Sequence, residues 1–219
     1  MIKRPAMVLV MTLVLSGAAA AKINIDSKSV KFLERGNITE FIGDVFITEE
    51  NMDMTADRAV SNKKEGTVEA AGNVHMNYSS STWNVEAWCD NIMIITENKK
   101  YILTGNVRTI HKTQEGDTID VTEISADRII MENAVDRRII FEDNVRTKRQ
   151  DITVMSDRAV YSRDDDRIDF TGSPSAESIF EDTAAEYSGD VITVFLDEER
   201  IRITGRAHTR IYKEDDIEM

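Results

Sequence analysis

Val68-Glu69-Ala70-Ala71-Gly72-Asn73-Val74-His75-Met76 is the stretch that decides the fold. Val68, Ala70, Val74 and Met76 share one parity, while Glu69, Asn73 and His75 share the other. Alternation of period two places one set of side chains on each face of an extended strand. Gly72 stands in the middle on the apolar parity, where it packs nothing and costs backbone entropy. A glycine so placed marks a bulge, a bend or the close approach of another backbone.

The pattern apolar-x-Gly-Asn/Asp-Val recurs along the chain. It reads Phe41-Ile42-Gly43-Asp44-Val45, Ala70-Ala71-Gly72-Asn73-Val74 and Leu103-Thr104-Gly105-Asn106-Val107. Degraded copies follow at Phe141-Glu142-Asp143-Asn144-Val145, Phe170-Thr171-Gly172-Ser173-Pro174 and Ile203-Thr204-Gly205-Arg206-Ala207. The anchors at 43, 72, 105, 143, 172 and 205 are spaced by 29, 33, 38, 29 and 33 residues. The first three therefore map onto the last three at a constant offset of 100. Ala56-Asp57-Arg58-Ala59-Val60 and Ser156-Asp157-Arg158-Ala159-Val160 obey the same offset. Self-similarity of this kind marks a repeat architecture. Here it is a three-unit block, duplicated.

Each unit holds a second alternating arm, as in Met52-x-Met54-x-Ala56, Trp83-x-Val85-x-Ala87 and Ile152-x-Val154-x-Ser156. Turns such as Lys63-Lys64-Glu65-Gly66, Glu97-Asn98-Lys99-Lys100 and Arg163-Asp164-Asp165-Asp166 separate the arms. After residue 21 the only proline is Pro174, as continuous sheet requires. The expected fold is all-β: an open, twisted β-roll of repeated strand–turn–strand units, bent at the same place in each rung.

Residues 1–21 read as a signal peptide. Lys3 and Arg4 precede an apolar run, Ala6 to Leu15, and small residues lead to an A-x-A site before Lys22. An apolar core of about ten residues is well short of the ~20 that span a bilayer. The expected division is a β-roll over 22–212, in triplets of about 22–115 and 116–212, and an acidic tail over 213–219. The whole chain carries 27 basic and 40 acidic residues. Loss of Lys3 and Arg4 makes the excess of acid larger still. Such a surface argues against a nucleic-acid partner, which needs a basic face, and against charge-driven adsorption to an anionic membrane. With Cys89 as the sole cysteine, stability must come from burial and strand pairing.

Catalytic patterns are missing from the sequence. His75, His111 and His208 lie far apart, and no nucleophile triad, zinc motif or phosphate loop is present. No cofactor or metal is expected. Asp57, Asp90, Asp127, Asp157 and Asp190 recur where an arm's alternation breaks, and Arg58, Arg128 and Arg158 directly follow three of them. The simplest reading is a bulge aspartate, locally hydrogen-bonded or paired with arginine. A calcium ladder is the less favoured reading, since the glycine-rich nonapeptide is absent. Trp83 shares the apolar parity with Val85, which fits core or groove lining better than a sugar platform; Cys89 reads as a small buried apolar side chain.

The run Ser27-x-x-Val30-x-Phe32, Gly36-Asn37-Ile38, Phe41-x-Gly43-Asp44-Val45-x-Ile47, Met52-x-Met54-x-Ala56-Asp57-x-Ala59-Val60 resembles the OstA/LptA module, a lipopolysaccharide-transport family of the Gram-negative periplasm. The resemblance is strongest over Ile23 to Val107 and recurs through Arg210. It implies a twisted open β-jellyroll that shelters lipid A acyl chains and bridges the two membranes through edge-strand addition to related β-jellyroll proteins, with head-to-tail self-association also possible. On the apolar parity, the expected lining is Val45, Met52, Met54, Val68, Val74, Met76, Trp83, Val85, Leu103 and Val107. Its second-triplet counterparts are Phe141, Val145, Ile152, Val154 and Phe170. The expected partner edges carry Ile23, Ile25, Val30 and Phe32 at one end and Ile201, Ile203 and Ile211 at the other. Two further readings stand beside this one: a structural or adhesive roll without lipid, and a membrane-anchored, LptC-like relative that keeps residues 1–21.

Overall fold

The computed structural model describes residues 23–79, 83–115, 118–132, 138–180, 183–196, 198 and 200–213. The expected signal segment 1–21 and residues 214–219 of the expected tail lie outside them. The described residues form sixteen strands in one antiparallel sheet, with a short 3-10 turn at Glu34–Gly36. The first strands are β1 (Asn24–Asp26) and β2 (Ser29–Leu33). A meander follows: β3 (Ile38–Glu49), β4 (Met52–Asn62), β5 (Thr67–Ser79), β6 (Trp83–Ile95), β7 (Lys100–Glu115), β8 (Thr118–Glu132), β9 (Arg138–Arg149) and β10 (Ile152–Ser162). The chain ends in β11 (Arg167–Thr171), β12 (Ser175–Phe180), β13 (Thr183–Ser188), β14 (Val191–Phe195), β15 (Arg200–Thr204) and β16 (His208–Lys213).

Every long strand bends once, and β3, β5, β7 and β9 do so at the repeat anchor. Between β4 and β5 the register jumps from Thr55↔His75 to Arg58↔Ala71, and between β5 and β6 from Ala71↔Asn91 to Val74↔Cys89. Gly72 and Asn73 are both in the left-handed region, at φ 77° and 46°. The pairs Gly43–Asp44, Gly105–Asn106, Asp143–Asn144 and Gly172–Ser173 repeat that conformation. Two successive left-handed residues turn the strand sharply, and glycine at the first avoids the Cβ penalty.

The neighbouring strand turns by a different device. Buried positions on β4 run Met52, Met54, Ala56 and then Ala59, Ser61, so the parity slips by one at Asp57-Arg58. On β6 the same slip separates Val85, Ala87, Cys89 from Ile92, Ile94, at Asp90. An uncorrected one-residue slip would turn every following side chain to the other face. At a corner, it keeps the apolar face inward on both sides of the bend.

The corners divide the sheet into two facing wings. One holds β1, the halves 45–49, 52–56, 74–79, 83–89, 107–115, 118–126, 145–149 and 152–156, and then β12, β13 and β16. The other holds β2, the complementary halves, and β11, β14 and β15. Near the C-terminus the corners break the strands outright. The fifth repeat splits into β11 and β12 at Gly172-Ser173-Pro174, so β10 pairs with β11 through one arm and with β12 through the other. Counting each such pair as one bent strand, the sixteen elements make twelve, two for each of the six repeats. Strands β1 and β2 end the sheet on one side, and β15 and β16 on the other.

Candidate functional site

The sequence-predicted lining residues face the space between the wings. Phe141, Phe170, Val68 and Leu103 have no exposed surface, and Val45, Met52, Met54, Val74, Met76, Val85, Val107, Val145 and Val154 are at most 2% exposed. Apart from Val85, these residues belong to one continuous apolar cluster, with Ile152 packed against it. Trp83 opens β6, and its side chain lies outside what is described. Trp88 sits on the outer face, half-buried and stacked on His75 with ring centroids 5.0 Å apart.

At the edges, Ile23 and Ile25 are buried and Val30 packs against the cluster, whereas Phe32 is exposed. Ile201 and Ile203 also pack against it, and Ile211 is exposed. The unpaired flanks of these strands therefore offer backbone groups, with both apolar and exposed side chains beside them.

Two polar clasps tie the wings together at their free margins. Glu49 is 4% exposed, and its carboxylate accepts a 2.8 Å hydrogen bond from the Tyr101 hydroxyl of the opposite wing. The Lys99 ammonium lies 3.9 Å from the same carboxylate. Burial, followed by the charge of Glu49, raises the Tyr101 hydroxyl above its ordinary range and keeps it a donor. One hundred residues on, Arg149 occupies the position of Glu49 with the opposite charge. It donates from Nε to Asp120 at 2.7 Å and from a terminal nitrogen to the Leu196 carbonyl of the other wing, also at 2.7 Å. The duplicated repeat thus keeps the clasp while changing its chemistry.

Between the clasps the wings part around a cavity of ≈250 Å³. One wing contributes Tyr78, Asn84, His111, Lys112 and Thr113; the other contributes Tyr101, Met131, Glu132, Arg138, Ile139, Tyr161, Arg163 and Asp166. A smaller space of ≈60 Å³ adjoins it through shared His111, Thr113, Tyr161 and Asp166, and reaches Arg149. None of the described sequence-predicted lining residues borders the larger cavity. Those residues pack on one another instead.

Two buried polar atoms in the cavity's lining residues, Asn84 Oδ1 and His111 Nε2, have no hydrogen-bond partner among the described residues. Burial lowers the His111 pKa to about 4, so the ring is neutral near pH 7. Its neighbours are Phe141 and, edge-on at 6.2 Å, Tyr161. Tyr161 is itself raised to about 12 by burial and by Asp166, which accepts a hydrogen bond from its hydroxyl. These cavity residues gave no motif. Tyr78, Asn84 and His111 stand near strand ends, where the alternation gives no warning of a cross-wing contact.

The recurrent aspartates sit at the corners as bulge residues. Asp57, Asp90 and Asp127 each accept a hydrogen bond from the asparagine of the neighbouring anchor, Asn73, Asn106 and Asn144, at 2.8, 3.0 and 2.7 Å. Asp190 instead pairs with Arg206. The adjacent Arg58 binds Glu40, diagonally placed on β3, and Arg128 binds Glu142, directly opposite on β9. No group of three or more His, Cys, Asp or Glu among the described residues is placed to hold a metal. Burial pushes the Cys89 thiol up to about 12, which leaves it unreactive.

Bent antiparallel strands, apolar within and open at both ends, define an open β-jellyroll. Residues 24–132 match the family described as LptA/(LptD N-terminal domain) LPS transport protein. This part of the chain is an OstA/LptA-like module of that lipopolysaccharide-transport family. Among solved structures, the chain is similar to LptH of Pseudomonas aeruginosa, described as the LptA homologous periplasmic component of the conserved lipopolysaccharide transport device. That likeness has 14% sequence identity and a TM-score of 0.27, over 64% of this chain and 75% of that one. No curated protein matches the chain significantly. No helix among the described residues is long and apolar enough to cross a membrane.

Proposed function

We propose that the chain is a periplasmic, non-enzymatic carrier for lipopolysaccharide that shelters acyl chains between its two wings and serves as one segment of a bridge towards the outer membrane. The observation that carries this reading is the single apolar interior, continuous from Ile25 through Leu103 to Phe170 and Ile192. The corners and the clasps close the wings around it. Each buried methylene contributes about 0.8 kcal/mol, so acyl chains compete well with contacts the interior otherwise makes with itself. Parting the wings breaks a few polar contacts and no strand ladder.

Export with removal of residues 1–21 places the carrier in the periplasm. The free flanks of β1 and β2, and of β15 and β16, then suit β-augmentation by related jellyrolls or by a second copy.

The test is titration of the exported, full-length protein with lipopolysaccharide, followed by displacement of a fluorescent dodecanoic acid. Saturable binding with displacement is expected. A folded protein that binds neither the lipid nor the acyl probe would overturn the reading, and the adhesive roll would then be the better account.

A further inference from the structure

We propose that the cavity between the clasps is a subsite for a phosphorylated saccharide, the head group of the lipid whose acyl chains occupy the neighbouring interior; this rests on the carrier reading above. Its volume of ≈250 Å³ far exceeds the ~10–15 Å³ that one water needs. Tyr78, Tyr101 and Tyr161 supply aromatic walls, which suit the apolar faces of sugar rings. Asn84 and the neutral His111 supply polar groups, and Asn84 Oδ1 and His111 Nε2 have no partner among the described residues. A buried polar atom left without a partner is costly, so the wall gains from a ligand that brings hydroxyl groups.

The charge of the lining points to the phosphate. The whole chain has a formal charge of −13, yet in the lining Arg138 and Arg163 balance Glu132 and Asp166, while the Lys112 ammonium turns to Glu86 at 2.8 Å. The acidic excess of the chain is therefore cancelled at the cavity, and Arg138 and Arg163 bring guanidinium groups suited to charge-assisted hydrogen bonding with a phosphate. Position supplies the link to the lipid. Tyr101 and Met131 line the cavity and also belong to the buried apolar cluster, so a head group held here leaves its acyl chains at the start of the interior. The site lies at the junction of the two triplets, with lining residues from β5 to the turn after β10.

Calorimetry on the full exported chain tests this with four probes: intact lipopolysaccharide, alkali-deacylated lipopolysaccharide (a phosphosaccharide without acyl chains), dodecanoic acid and inorganic phosphate. The deacylated saccharide is expected to bind. Arg138→Glu should weaken it about ten-fold, the loss of one charge-assisted hydrogen bond. Tyr78→Leu, which keeps apolar bulk but removes an aromatic face, should also weaken it, while Lys64→Glu on a remote exposed turn should not. Binding of intact lipid and dodecanoic acid without the deacylated saccharide, or saccharide binding unchanged in both cavity variants, would overturn the subsite and leave the carrier reading standing. Inorganic phosphate competing as well as the saccharide would overturn it in favour of a free-phosphate site. If neither intact lipid nor dodecanoic acid binds, the carrier reading falls, and the subsite with it.

Discussion

Asn73 donates from its side-chain amide to the Asp57 carboxylate across 2.8 Å, at the corner where β4 and β5 turn together. A Cβ on the neighbouring Gly72 would lie 2.5 Å from that same carboxylate. The aspartate of one strand therefore occupies the room that the glycine of the next leaves empty. Repeated at Asp90 with Asn106 and Asp127 with Asn144, this contact sets where the sheet folds over on itself.

Gly72→Ala should destabilise the protein by about 2 kcal/mol or more, since it combines a left-handed backbone strain of ~1–3 kcal/mol with a steric clash. Asp57→Ala should cost only about 1 kcal/mol, the loss of one exposed hydrogen bond. In urea denaturation, the double variant should be more stable than the sum of the two single losses implies, because removing the aspartate relieves the clash. Strict additivity would show that the two side chains do not share this space.

Asp143 stands where the other five repeats have glycine, with φ at 63°. Asp143→Gly should raise the denaturation midpoint, because a non-glycine residue in the left-handed region costs roughly 1–2 kcal/mol. The greater flexibility of glycine in the unfolded chain offsets part of that gain. A lowered midpoint would mean that the Asp143 side chain stabilises the corner.

The first clasp depends on Tyr101. Tyr101→Phe leaves the buried Glu49 carboxylate without its hydroxyl donor, at a cost of about 1–3 kcal/mol. If the wings part at this margin, hydrogen exchange should speed up in 47–49 and 100–103 while the corners stay protected. Uniform loss of protection along the sheet would argue against local opening.

His111 has its folded-state pKa lowered from 6.5 to about 4 by burial. The unfolded chain therefore takes up its proton first as pH falls. Stability is fully present above pH 6.5 and declines between there and pH 4, by at most about 1.4 kcal/mol per pH unit. His111→Gln, which cannot titrate, should show a smaller decline over that window in parallel urea melts. An identical pH dependence in both proteins would contradict a buried neutral imidazole.

Much of this architecture was legible in local sequence. The alternation of Val68 to Met76 names the strands, Gly72 marks the bend, and the parity slip at Asp57 marks its complement on the adjacent strand. The partners of the aspartates were harder to read. Arg58 directly follows Asp57 and the bulge leaves both exposed, but Asn73 on one neighbouring strand takes the carboxylate and Glu40 on the other takes the guanidinium. The clasps were out of reach for a different reason. Glu49 meets Tyr101, and Arg149 meets Leu196, between wings that face each other only once every corner has bent. No short-range pattern encodes that approach. The cavity is missed on the same ground, because its two walls come from opposite ends of bent strands.

Site-specific photocrosslinking from Met54 and Val85, in cells making lipopolysaccharide, tests the carrier claim most directly. Both side chains are 1% exposed and face the space between the wings. The account predicts lipopolysaccharide adducts at both positions, and none from Asp53 or Glu86 on the outward parity of the same strands. Folded, exported protein that yields no adduct at Met54 or Val85 would contradict it.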